Sequence, residues 1–292
     1  MENVGFIGLG KMGIPMVKNI QKAGYNVIVF NRSKEKYKLL GDTEFKIAKT
    51  PREVAENSKF TITMLTDSEA VKSLFQGPDG ILSGLGPGKI YIDMSTISPT
   101  VTEEIAKMVE GKGAEFLDAP VTGSIPAAEK GELTIMVGGK LDTFEKAKKV
   151  FSAMGKNIIY IGPTGSGIKM KMINNIILGV NMLILSEAIK FGEFLGINPE
   201  TQIKVLSTGS ASSKVLELKK NNILKNEFEP LFNLEHERKD ISYATELARR
   251  MTFPLILTPL AEQIYTMGVN AGLGKLDFSA IYRLLSNLMD KS

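Results

Sequence analysis

The chain has 292 residues, 23% of them charged and 43% hydrophobic, with a formal net charge of +4. That length suits two domains, and the balance is that of an ordinary soluble globular protein. The absence of cysteine excludes disulfides, thiol nucleophiles and thiolate zinc sites. The lone His236 excludes a two-histidine metal site, and the basic residues form no run with interleaved aromatics, so no nucleic-acid partner is expected.

A strand over residues 4–7 opens the chain with no room ahead of it for a signal or transit peptide, and the expectation is a cytoplasmic protein. Further strands are predicted over 26–30, 60–65, 89–93, 115–119, 133–137 and 157–161. Helices are predicted between them over 11–23, 33–40, 51–57, 69–75, 99–111 and 142–154. Such alternation predicts an α/β domain with a mostly parallel, doubly wound sheet. Gly138-Gly139 reads as a turn ahead of the last helix. Beyond Gly162-Pro163-Thr164-Gly165 no strand is expected. A long helical stretch over about 166–195 is followed by shorter helices to about 287, broken at Gly196, Pro199, Pro230, Pro254 and Gly272–Gly274. The predicted organisation is an α/β domain over 1–163 and an all-α domain over 164–292. The uncharged run 172–186 is shorter than the roughly 20 residues of a membrane span and contains three asparagines, so no membrane partner is expected.

Gly8-Leu9-Gly10-Lys11-Met12-Gly13 follows the first strand and opens the first helix, the setting in which G-x-G-x-x-G binds a dinucleotide. The first glycine permits the turn, the second the approach of a pyrophosphate, and the third close helix–strand packing. After the second strand, where an acidic residue would bind an NAD ribose, the chain reads Asn31-Arg32-Ser33. Loss of the carboxylate removes repulsion against a 2′-phosphate, and Arg32 can supply a forked contact, so NADP is expected rather than NAD. Ser95 and Thr96 follow another strand end, where ligands of open α/β sheets sit.

The long helix carries Lys169 and Lys171. Only Lys171 meets polar residues at i+3 and i+4, namely Asn174 and Asn175. It is read either as a proton donor or as a lysine whose stem covers the core while its ammonium reaches water, and the residues alone support both equally. Burial would lower its pKa. His236, in Glu235-His-Glu-Arg-Lys-Asp240, reads as part of a solvated face.

Four blocks in order resemble the β-hydroxyacid dehydrogenases: Gly5-Phe-Ile-Gly-Leu-Gly-Lys-Met-Gly-Ile-Pro-Met16, Asp118-Ala-Pro-Val-Thr-Gly123, Gly165-x-Gly167-x-x-x-Lys171-x-x-x-Asn175, and Lys239-Asp240. The resemblance implies a Rossmann domain, a helical substrate and oligomerisation domain, and a site in the cleft between them. It implies Lys171 as catalytic acid/base and Asn175 as its companion positioning the substrate. Thr122 and Gly123 would hold a substrate carboxylate, with Ser95 beside them. Met64, Leu65 and Thr96 would line the nicotinamide, Lys239 would touch the cofactor, and Phe232 and Asp240 would close the pocket. Homodimers or homotetramers are implied too.

Where the family often has Ser-Gly-Gly, this chain has Thr122-Gly123-Ser124 and continues Ile-Pro-Ala-Ala-Glu-Lys-Gly131, closer to the glyoxylate/succinic semialdehyde reductase branch. The expected activity is therefore NADP-dependent reduction of such aldehyde-carboxylates. Oxidation of 3-hydroxyisobutyrate or a related 3-hydroxy acid is the near alternative, and a non-catalytic NADP-binding scaffold the remote one.

Overall fold

Short β-branched and aromatic runs form the sheet. Its strands are β1 (Asn3–Ile7), β2 (Asn26–Phe30), β3 (Lys46–Ile47), β4 (Phe60–Thr63), β5 (Ile90–Asp93), β6 (Glu115–Asp118), β7 (Val121–Thr122), β8 (Leu133–Gly139) and β9 (Gly155–Gly162). They lie in the order β3-β2-β1-β4-β5-β6-β8-β7, with β9 on β8. β1 to β6 are parallel along that order; β6 and β7 meet β8 antiparallel, and β9 runs parallel to β8. The computed structural model describes residues 2–41 and 45–289. It divides into two compact units, Met1–Lys171 and Met172–Ser292.

In the first unit the helices are α1 (Gly13–Lys22), α2 (Pro51–Glu56), α3 (Ser68–Phe75), α4 (Ile81–Gly84), α5 (Pro99–Gly111), α6 (Ile125–Lys130) and α7 (Leu141–Met154). Successive strand residues point to opposite faces, so β1, β2, β5 and β6 feed two cores. Phe6, Val29 and Ile62 pack with Met16, Ile20 and Phe151 on one face. Ile7, Ile28 and Tyr91 pack with Val54, Val71 and Ile105 on the other. Both faces are thereby covered, as a parallel sheet requires. The fold is the Rossmann type, with β1 and β4 flanking the point where strand order reverses.

The second unit is built from the remainder of α8 (Ser166–Phe194) with α9 (Pro199–Leu206), α10 (Lys214–Lys225), α11 (Leu234–Arg250), α12 (Leu257–Gly268) and α13 (Ile281–Met289). Its core joins Met182, Ile189, Leu216, Ile241, Tyr265 and Ile281. The Tyr265 hydroxyl donates to the Gly179 carbonyl at 3.1 Å, tying α12 to α8. Among the described residues α8 is the one helix that meets, by length and composition, the requirement for crossing a membrane, a test that core helices also pass. It outruns the uncharged stretch because Lys169, Lys171, Glu187, Lys190 and Glu193 are accommodated near its ends.

Two local expectations are corrected. Gly138-Gly139 is not a turn but the end of β8, with Gly138 opposite Asp118 and Gly139 opposite Leu117. A Cβ at Gly138 would stand 2.5 Å from the Asp118 carboxylate, so close packing rather than chain reversal calls for glycine. The helical stretch expected over 33–40 is a 3-10 helix over Lys34–Leu40. His236 is half-buried, its ring 6.2 Å from that of Phe232; burial, followed by Lys239, lowers its pKa.

Candidate active site

At the sheet's switch point β1 gives way to Gly8, whose φ of +110° suits glycine alone. A side chain there would strike the Met64 carbonyl, and one at Gly13 the Gly8 carbonyl. Gly10 differs, because a Cβ at that position meets nothing within 4 Å. Two of the three glycines are thus demanded by the protein's own packing, and the third borders open space. α1 begins with no side-chain cap on Met12 and no acidic residue in its first turn. Its N-terminal N–H groups and dipole suit an anion there, and this cradle fits a dinucleotide pyrophosphate.

The groove beside this turn is lined by Gly8, Leu9 and Gly10, by Asn31, Arg32, Ser33 and Lys36, and by Met64, Leu65 and Thr66. Lys11, Met12, Gly13 and Thr96 do not line it. Asn31 fixes the β2 end: its Oδ1 accepts from Leu9 N at 2.9 Å, and its Nδ2 donates to the Ser33 carbonyl at 2.9 Å. Its backbone N–H donates to Tyr37 Oη at 2.8 Å. Lys36, four residues beyond Arg32, was not anticipated from the sequence; both side chains are exposed on this groove. The basic spacing Arg32-x-x-x-Lys36 was the available signal.

The Ser95 hydroxyl is buried and accepts from Leu65 N at 2.9 Å, so it supports the loop that carries Leu65. Thr96 beside it is half-buried. β6 ends in Asp118, whose two carboxylate oxygens accept from Gly165 N and Ile168 N, both at 2.8 Å. Burial pushes this carboxyl up to about 6, against the lowering effect of those backbone bonds. Thr122 closes β7, and Gly123 follows at φ +137°.

Lys171 stands one turn into α8, only 9% exposed, whereas Lys169 reaches the surface and pairs with Glu103 at 3.1 Å. The helical spacing that separated the two lysines therefore also separates their environments. In the second unit Asn175 is fully buried and donates through Nδ2 to Asp240 Oδ2 at 2.6 Å. Asn174 Nδ2 donates to Asn175 Oδ1 at 2.8 Å, so both ends of the Asn175 amide are engaged. Lys239 Nζ pairs with Asp240 Oδ1 at 2.8 Å and lies 5.1 Å from the Tyr243 ring centre. Asn175, Lys239 and Asp240 are thus brought together. Phe232 packs instead against His236 and Phe278.

Residues 3–162 match the family model for the NAD binding domain of 6-phosphogluconate dehydrogenase. Residues 165–285 match that for the NAD-binding domain of NADP-dependent 3-hydroxyisobutyrate dehydrogenase. Mouse mitochondrial 3-hydroxyisobutyrate dehydrogenase is 37% identical over 97% of this chain and 86% of its own length. The 2-(hydroxymethyl)glutarate dehydrogenase of Eubacterium barkeri is 36% identical over 96% of this chain and 94% of its own. The solved structure of Mycobacterium tuberculosis 3-hydroxyisobutyrate dehydrogenase is 28% identical and superposes with a TM-score of 0.89, covering 98% of this chain and 99% of that one.

Fold, glycine cradle and relatives define a nicotinamide-dependent oxidoreductase that acts on CH–OH groups. The chain belongs to the β-hydroxyacid dehydrogenase family.

Proposed function

We propose that this protein uses NADPH to reduce small aldehyde-carboxylates, such as glyoxylate and succinic semialdehyde, to hydroxy acids, with Lys171 as general acid. The observation that carries the reading is the burial of Lys171 beside an exposed, ion-paired Lys169 on the same helix. When bound, the nicotinamide supplies a hydride to the carbonyl carbon. Lys171 Nζ donates a proton to the carbonyl oxygen, and the same amine accepts it in the reverse direction. Thr122 and Gly123 hold the substrate carboxylate, with Ser95 supporting the neighbouring loop. Asn175, held by Asp240, positions the substrate, and Phe232 adds an apolar wall. Met64, Leu65, Thr96 and Lys239 serve the cofactor.

Lys171→Ala should leave NADPH binding intact and lower turnover by about a hundredfold or more. Near-full turnover in that variant would sink the assignment. The preference for NADP rests on Arg32, to which the groove adds Lys36. Arg32→Asp should weaken NADPH relative to NADH, measured by direct titration; an unchanged ratio would remove that basis.

Oxidation of 3-hydroxyisobutyrate is the second reading, and it is favoured by the mouse relative, which is named for that activity. The segment from Thr122 to Gly131 supports the reductase reading, and rates on a panel of semialdehydes and 3-hydroxy acids with both cofactors separate the two. A non-catalytic scaffold would consume no NADPH with any of them. We further propose a homodimer or homotetramer assembled through α8.

A further inference from the structure

We propose that Asp118 is a positioning residue for Lys171: its carboxylate clamps the first turn of α8 and so sets where the lysine amine stands. This rests on the reading of Lys171 as the general acid. Gly165, immediately ahead of the helix, has no side chain of its own to cap it, where a serine, threonine or aspartate would ordinarily stand. The acceptor comes instead from strand β6, 47 residues away for Gly165 N and 50 for Ile168 N. One carboxylate oxygen serves each amide, and Ile168 is three residues before Lys171.

The surrounding packing leaves this joint no slack. A Cβ at Gly167 would strike the Met136 carbonyl and lie 2.7 Å from the Asp118 carbonyl. A Cβ at Gly138 would lie 2.5 Å from Asp118 Oδ1 and 2.7 Å from Gly167 N. Two glycines thus let β8 and the helix start close around one carboxylate. From β6 the chain passes through Pro120 into β7 and on to Gly123, so Asp118 fixes the proposed carboxylate loop and the proton donor from a single point.

Two acceptor oxygens are available only while the carboxylate is ionised, because a proton on either oxygen would face an N–H donor. With its carboxyl pushed up to about 6, chiefly by burial, Asp118 loses that form within a reachable pH range. The charged and titratable groups around it are Asp93 on β5, which raises it further; Tyr91, joined to Asp93 through Thr63 Oγ1; and Glu103 with its partner Lys169, both beside Gly165. Because the folded value lies above the ordinary carboxylate value of 3.8, folding stability from this group falls as pH rises from there to about 6. Acidification through that window therefore does not unfold the protein through Asp118, and a loss of turnover there reports the clamp.

The test is amide exchange at residues 165–168, corrected for the intrinsic rate at each pH, in the full-length wild type and Asp118→Asn, together with kcat against pH. The asparagine offers one acceptor and turns its amide donor toward the other N–H. Expected are protected amides in the wild type at pH 7.5, loss of that protection at pH 5, and loss at both pH values in the variant. The kcat of the wild type should fall below about pH 6; in the variant that limb should vanish and kcat be lower by about tenfold or more, with KM for NADPH unchanged. Equal protection in both proteins at both pH values, or an acid limb that persists in Asp118→Asn, overturns the proposal. If Asp118→Asn does not fold, the wild-type exchange at the two pH values decides alone. Loosened amides with full turnover in Lys171→Ala would leave the clamp standing and place the failure in the general-acid reading.

Discussion

Asp277 and Lys219 form a fully enclosed pair at 2.8 Å, and the same carboxylate accepts from Leu231 N, Phe232 N, Ser279 N and Ser279 Oγ. One acid therefore neutralises a buried ammonium and fixes the backbone that presents Phe232. Asp277→Ala strands the Lys219 charge and several amides at once, and should cost about 3–5 kcal/mol in urea unfolding. A loss below about 1 kcal/mol would show that the pair contributes little beyond its own desolvation. Nothing in the sequence announces it, because Lys219 and Asp277 stand 58 residues apart in no shared pattern. Lys171 was legible for the opposite reason: its distinguishing neighbours lie one turn away on its own helix. The Asp118 motif was visible too, but its bonds to Gly165 and Ile168 depend on chain pairing that no local spacing records.

α8 and α11 are held at a distance that Gly179 sets. A Cβ there would meet the Glu237 carboxylate and stand 2.6 Å from Ile241 Cδ1, both on α11 and both fully buried. Gly179→Ala gains helix propensity but overfills this contact, and a net loss of about 1–3 kcal/mol is expected. A rise in the thermal midpoint would mean that Glu237 yields without strain. Elements of this length and regularity were readable from hydrophobic period, as the agreement over Pro99–Gly111 illustrates. The pieces that escaped are β3, β7, α4 and α6, of two to six residues. Runs so short complete too little of either period to be distinguished from loops. Gly138-Gly139 was misread because glycine pairs mark turns more often than the close approach found here.

Across the whole molecule, alternation of strand and helix announced the doubly wound sheet, and its loss after Gly165 announced the helical region. Strand order was not readable, since it depends on which edge each crossover returns to. α8 also carries Ile173, Ile177, Ile184 and Phe191, exposed at 51%, 55%, 56% and 61% and spaced by four, seven and seven residues. That spacing keeps them on one stripe of the helix, as at a helix–helix seam. The proposed self-association predicts that the double variant Ile177→Glu, Ile184→Glu sediments as a monomer while the parent chain does not. A parent chain that is monomeric at micromolar concentration would remove the proposal.

The anchoring of Asn31 constrains how the proposed preference for NADP could be exchanged. Its amide donates on one side and accepts on the other, so Asp at this position would set a carboxylate oxygen against the Ser33 carbonyl and unsettle the turn. A route toward an NAD-type ribose contact therefore cannot begin at residue 31. It would have to pass first through Arg32 and Lys36, which are exposed and free of that structural duty. Discrimination between the two dinucleotides is in this sense editable at the rim of the groove and locked at its base.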